Sequence, residues 1–128
     1  MDKITYITTE KSPKPIGPYS QAIKCGSFIF CSGQISIDPT NGELIGTTIE
    51  DQTEQAVKNL LYILKSTGSS LEKVLKTTVY LKNIEDFVKF NRVYAKYFPK
   101  HKPARTTIAV ANLPKDALIE IEAIAAAD

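Results

Sequence analysis

The stretch LIEIEAIA, residues 118–125, alternates without a break. Successive side chains of a β-strand point to opposite faces. One face therefore receives Ile119, Ile121, Ala123 and Ala125, and the other Leu118, Glu120, Glu122 and Ile124. The first set is wholly apolar and belongs under covering helices. The second mixes carboxylates with apolar groups, which suits neither a core nor open water.

Other segments extend the pattern into a sheet. In FIFCSGQISI (28–37), Ile29, Cys31, Ile35 and Ile37 fall on one face, and Phe28, Phe30, Ser32, Gln34 and Ser36 on the other. In VLKTTVYL (74–81), Leu75, Val79 and Leu81 oppose Lys76, Thr78 and Tyr80. ITYITT (4–9), QAIK (21–24) and ARTTIAVA (104–111) bring the total to five or six strands. In the last of these, Arg105 and Thr107 oppose Thr106, Ile108 and Val110. The apolar set is expected on the helix side, which sends Arg105 to the mixed face.

Two helices are expected. Thr48 serves as an N-cap with Asp51 three residues on; Ala56, Val57, Leu60, Leu61, Ile63 and Leu64 recur at helical spacing, and Gly68 is the stop. A second helix from near Asn83 carries Phe87, Phe90, Tyr94 and Tyr97 on one stripe and ends before Pro99. SPKPIGPYS (12–20) is a rigid extended loop and DPTNG (38–42) a turn. Two helices cannot cover both faces of such a sheet. The expectation is an α+β single domain over residues 1–128, with a five- to six-stranded mixed sheet and both helices on one face. The bare face, partly aromatic and partly polar, suits an oligomer interface that contains a polar pocket.

The chain has 128 residues and a formal net charge of +2. That is no electrostatic footprint for nucleic acid; Lys96, Lys100 and Lys102 read as a solvated loop. No apolar run is long enough to span a bilayer, and the opening MDKITYITTEK is not a signal peptide, so a cytoplasmic location and no membrane partner are expected. Cys25 and Cys31 read as free structural thiols, and with His101 as the single histidine no metal site is expected.

Of the 16 basic residues only Arg92 and Arg105 are arginines. Arg92 reads as a solvated helix residue. A guanidinium grips a carboxylate with two parallel hydrogen bonds, which an ammonium cannot do. Arg105 to hold a carboxylate, and Glu120 to handle a proton or a water, make a minimal hydrolytic site for a small acid. The alternatives are a surface ion pair for Arg105 and a solvated position for Glu120.

GPYSQA at 17–22, SGQI at 32–35, PARTTI at 103–108 and LPKDALIEIEAIA at 113–125 together resemble the Rid family of reactive intermediate deaminases, in its RidA, YjgF-like subgroup. The resemblance spans nearly the whole chain. It implies a chorismate-mutase-like fold and a homotrimer whose sheets form a central barrel, with ligand sites between subunits. It implies a hydrolase, a 2-iminobutanoate/2-iminopropanoate deaminase, that converts enamine and imine intermediates such as 2-aminoacrylate to 2-oxo acids and ammonia without a cofactor. By this resemblance Arg105 binds the substrate carboxylate and Glu120 positions water, while Tyr19, Ser32, Gly33, Asn91 and Thr107 line the pocket. Thr107 stands where many relatives carry cysteine. Two other readings are weighed: a non-catalytic 2-oxo-acid-binding regulatory trimer, and a translation inhibitor acting by RNA cleavage, against which the near-neutral charge counts.

Overall fold

The computed structural model describes residues 2–127. A six-stranded sheet is built from β1 (Ile4–Ile7), β2 (Ala22–Cys25), β3 (Phe28–Gln34), β4 (Val74–Leu81), β5 (Ala104–Ala109) and β6 (Ile119–Ala126), in the order β1-β2-β3-β6-β4-β5. All neighbours are antiparallel except β4 and β5, which run parallel because a helix crosses between them.

Helix α1 (Ile49–Ser66) starts as its sequence dictates: the Thr48 hydroxyl accepts a hydrogen bond from the Asp51 backbone N–H at 3.1 Å. It ends at the Thr67 cap, and Gly68, with a φ of 81°, turns the chain back. Helix α2 (Phe87–Tyr97) begins later than expected, because Ile84–Asp86 form a separate 3-10 turn. Both helices lie on one face. Ala56, Leu60, Ile63 and Leu64 of α1 and Phe90 and Tyr94 of α2 pack with Ile29, Val79, Leu81, Ile119 and Ile121 of the sheet. The opposite face has no such cover, and Phe28 and Phe30 stand 46 % exposed there.

Two β-bulges correct the strict alternation. Cys31 pairs with Ala123 and Gln34 with Ile121, so Ser32 and Gly33 together oppose the single residue Glu122. The bulge changes the parity of the strand. Gln34, expected on the mixed face, is buried opposite core residue Ile121. Ile35 and Ile37 form a small second core with Ala117 instead of joining the first. The second bulge lies at Leu75, between the pairs Val74–Ala125 and Lys76–Ile124. Val74 consequently fills the core, and Leu75, expected there, is 43 % exposed.

Polar residues pin the long loops. The Asn59 side-chain amide, fully buried on α1, donates to the carbonyls of Ile35 and Ile37. Gln21 holds the proline loop: its amide donates to the carbonyls of Thr9, Ser12 and Pro13, and its oxygen accepts from Thr9 N–H at 2.7 Å.

Candidate functional site

The structure divides the expected site residues into two groups on opposite faces of the sheet. Glu120 is opposite Tyr80 in the β4–β6 register and belongs to the bare face. Arg105 is opposite Thr77, and Thr107 opposite Val79, in the parallel β4–β5 register. Thr77 and Val79 are fully buried under the helices. Direct partners share a face, so Arg105 and Thr107 point to the helix side. This corrects the sequence expectation. β5 is an edge strand, and its apolar alternate Ile108 goes to the bare face, where it is 43 % exposed.

On the helix side, the Arg105 guanidinium carbon sits 4.8 Å from the ring centre of Tyr94, 5.2 Å from that of Phe90 and 5.7 Å from that of Phe87. The aromatic stripe of α2 thus fixes a cation by its ring faces and leaves its hydrogen-bond donors unused. Arg105 makes no hydrogen bond or ion pair with any described residue. It opens into a groove of about 470 Å³ shared with Asn91, Ala95, Phe98, Lys102 and Pro103. Two residues along, the Thr107 hydroxyl is buried without a hydrogen-bond partner among the described residues. Tyr94 is anchored by a 2.8 Å hydrogen bond to the Thr77 hydroxyl, and its burial raises its own pKa.

On the bare face, Tyr19, Ser32, Gly33, Glu120 and Glu122 line a second groove of about 400 Å³. The Glu120 carboxylate lies over Gly33; a Cβ there would stand 2.7 Å from the carboxyl carbon. The bulge makes this possible, by presenting bare backbone beside a carboxylate. Glu120 is half-buried and makes no hydrogen bond or ion pair with any described residue. Its burial, and secondarily the charge of Glu122, hold its carboxyl above the usual carboxylate range.

Tyr19 is exposed on the groove, its hydroxyl accepting from Ile16 N–H at 3.3 Å. Ser32 is committed to structure: its hydroxyl donates to the Ser20 carbonyl at 2.6 Å and holds the GPYSQA loop against β3. Asn91 lies with Arg105, apart from Tyr19 and Glu120. Cys31 is buried, and desolvation pushes its thiol up to about 12, which leaves it inert. Sequence reasoning missed two features. One is the aromatic cradle, whose signal was the spacing of Phe87, Phe90 and Tyr94 beside a rare arginine. The other is the Tyr80 hydroxyl, which donates to Glu122 at 2.6 Å.

A comparison with known families matches residues 9–127 to the endoribonuclease L-PSP family. A RutC family protein of Pyrococcus horikoshii is 59 % identical over 119 residues, which cover 93 % of this chain and 94 % of the relative. The human 2-iminobutanoate/2-iminopropanoate deaminase is 46 % identical over 119 residues, covering 93 % of this chain and 87 % of that protein. Among solved structures, E. coli TdcF with bound serine superposes with a TM-score of 0.92 at 38 % identity, covering 97 % of this chain and 99 % of that one.

Proposed function

The chain belongs to the endoribonuclease L-PSP family, which takes in the Rid proteins it resembles, and from that membership we propose that it is a 2-imino acid deaminase whose site forms between two copies of the chain. The observation that carries this reading is the division of the site. A carboxylate anchor, Arg105, and a free carboxylate, Glu120, occupy opposite faces of one sheet. They act on one small molecule only if a second copy brings its Arg105 groove to the first copy's Glu120 groove. The bare face, with Phe28 and Phe30 exposed, supplies the apolar surface for a trimer.

The chemistry follows from the groups. A protonated 2-imino acid carries a carboxylate and an electrophilic iminium carbon. Arg105 takes the carboxylate in a two-pronged grip, held in orientation by its three rings. The Thr107 hydroxyl offers a further donor. Glu120 accepts a proton from water as that water attacks the iminium carbon, and returns it to the departing nitrogen. Iminium and water give the 2-oxo acid and an ammonium ion, so the reaction calls for no redox partner. The human relative is named for this substrate class, and the TdcF structure holds a bound serine.

The test is complementation. Arg105→Ala and Glu120→Gln chains are each expected to be inactive on freshly generated 2-aminoacrylate. Co-expressed in equal amounts and assembled at random, they give a population in which roughly one quarter of all sites join an intact Arg105 to an intact Glu120, all of them in the mixed trimers. Ammonia release should recover in the same proportion. A mixed trimer with no recovered activity would overturn the shared site. A wild-type protein that turns over no imine yet binds 2-oxo acids would turn the reading to a sensor.

A further inference from the structure

The bare-face groove holds two carboxylates, and they are not equivalent. Glu120 and Glu122 are two residues apart on β6 and face the same way. Tyr80 on β4 stands directly opposite Glu120 in the register, but its hydroxyl passes that neighbour and donates to Oε1 of Glu122 at 2.6 Å. Glu122 is the diagonal partner, and the hydrogen bond fixes its carboxylate on the groove that it shares with Glu120. Hydrogen bonding and charge from Glu122 push the Tyr80 hydroxyl up to about 12, so it remains a donor throughout the ordinary pH range.

We propose that Tyr80 is a positioning residue that holds the Glu122 carboxylate on the groove beside Glu120, so that the neighbouring charge adds to burial in keeping Glu120 protonated to higher pH. This rests on the deaminase reading only for its effect on turnover. In the assembled site a second copy's Arg105 also faces Glu120; its charge favours the ionised carboxylate in wild type and variants alike, so the difference between them reads Glu122. Tyr19 and Lys14 come from the proline loop, and Cys31 lies in the neighbouring strand. Lys76 on the same face is bound to the Thr106 hydroxyl at 3.0 Å, and Lys82 to Asp116 at 2.7 Å. Neither lysine is spent on Glu120 or Glu122.

The sign is fixed by electrostatics. A nearby negative charge favours the protonated acid, so the Glu122 charge raises the pH at which Glu120 ionises. Removing that charge in Glu122→Gln should move the titration of Glu120 to lower pH. In Tyr80→Phe the ring stays but the grip is lost. Glu122 then swings toward water, away from its like-charged neighbour, and the titration of Glu120 should move the same way by less. Because Tyr80 acts through Glu122, the double variant should titrate like Glu122→Gln alone, a non-additive pattern.

The experiment is an NMR pH titration of the intact protein with carbon-13 at the glutamate side-chain carboxyls, the Glu120 signal being assigned by its loss in Glu120→Gln. Beside it runs the pH profile of kcat/KM for 2-aminoacrylate. The acid limb is expected to move to lower pH in both single variants, further in Glu122→Gln, together with the Glu120 signal. A Glu120 titration that Tyr80→Phe leaves in place, or that moves further in the double variant than in Glu122→Gln, overturns the proposal. Absence of imine turnover strikes the deaminase reading alone, since the carboxyl titration still reads the Tyr80–Glu122 pair.

Discussion

Glu120 closes over Gly33, with the carboxylate resting where a side chain at position 33 would have to go. Gly33 does not need glycine for its backbone angles, as its φ is not in the left-handed region. It needs glycine for room. Gly33→Ala should therefore fold normally, because the end of a glutamate side chain can move aside, but it should displace Glu120 from its groove. A misplacement of about 1 Å costs on the order of 10²-fold in rate. Circular dichroism should match wild type while ammonia release falls by that order. Unchanged turnover in a folded Gly33→Ala variant would remove Glu120 from the reaction.

Arg105→Lys keeps the charge and loses both the planar fork and the stacking on Phe87, Phe90 and Tyr94. Breaking a buried carboxylate pair in this way costs about 2–5 kcal/mol. Calorimetry with a stable 2-oxo acid should show binding weakened to that extent. Binding near wild type would mean that the substrate carboxylate is held elsewhere.

Tyr94→Phe separates the cradle from its anchor. The ring that faces Arg105 is preserved, but the buried Thr77 hydroxyl loses its 2.8 Å partner. An unsatisfied buried hydroxyl costs about 1–3 kcal/mol. Chemical denaturation should report that loss, with 2-oxo acid affinity unchanged. A large drop in affinity would show that the hydroxyl itself takes part in binding.

Phe30→Glu places a charge in the middle of the uncovered face, opposite Ile124. Light scattering of the wild type at micromolar concentration should give about three times the chain mass, and the variant a lower mass. Activity should fall with assembly, since each half-site is then left alone. A wild-type monomer with full activity would end the shared-site reading.

Where the alternation is unbroken, the residues announce their faces. β6 reads correctly at every position, and the α1 cap and stop lie at Thr48 and Gly68 as expected. The bulges are not announced. Nothing in the order of Val74, Leu75 and Lys76 says that Leu75 will be squeezed out; that depends on how β4 meets β6. Arg105 departs from the sequence expectation for a related reason. The rule that apolar side chains seek the helices presumes one apolar destination, and this sheet has two. Glu120, Tyr19 and Gly33, which the motifs bring together, share a groove, but the division between that groove and Arg105 emerges only from strand order and register.

The Ser32–Gly33 bulge acts on the sheet as a frameshift acts on a message. Upstream, odd-numbered residues of β3 face the helices; at the bulge the count slips by one, and Gln34 takes the place that an odd number would have held. Deleting one residue there would restore regular pairing, with Gln34 still opposite Ile121 and the remainder of the strand on its present faces. It would also erase the bare backbone on which the Glu120 carboxylate rests. The groove and the slip are one feature, so the length of this segment is held as tightly as the identity of its residues: a single deletion should be tolerated less well than most substitutions within it.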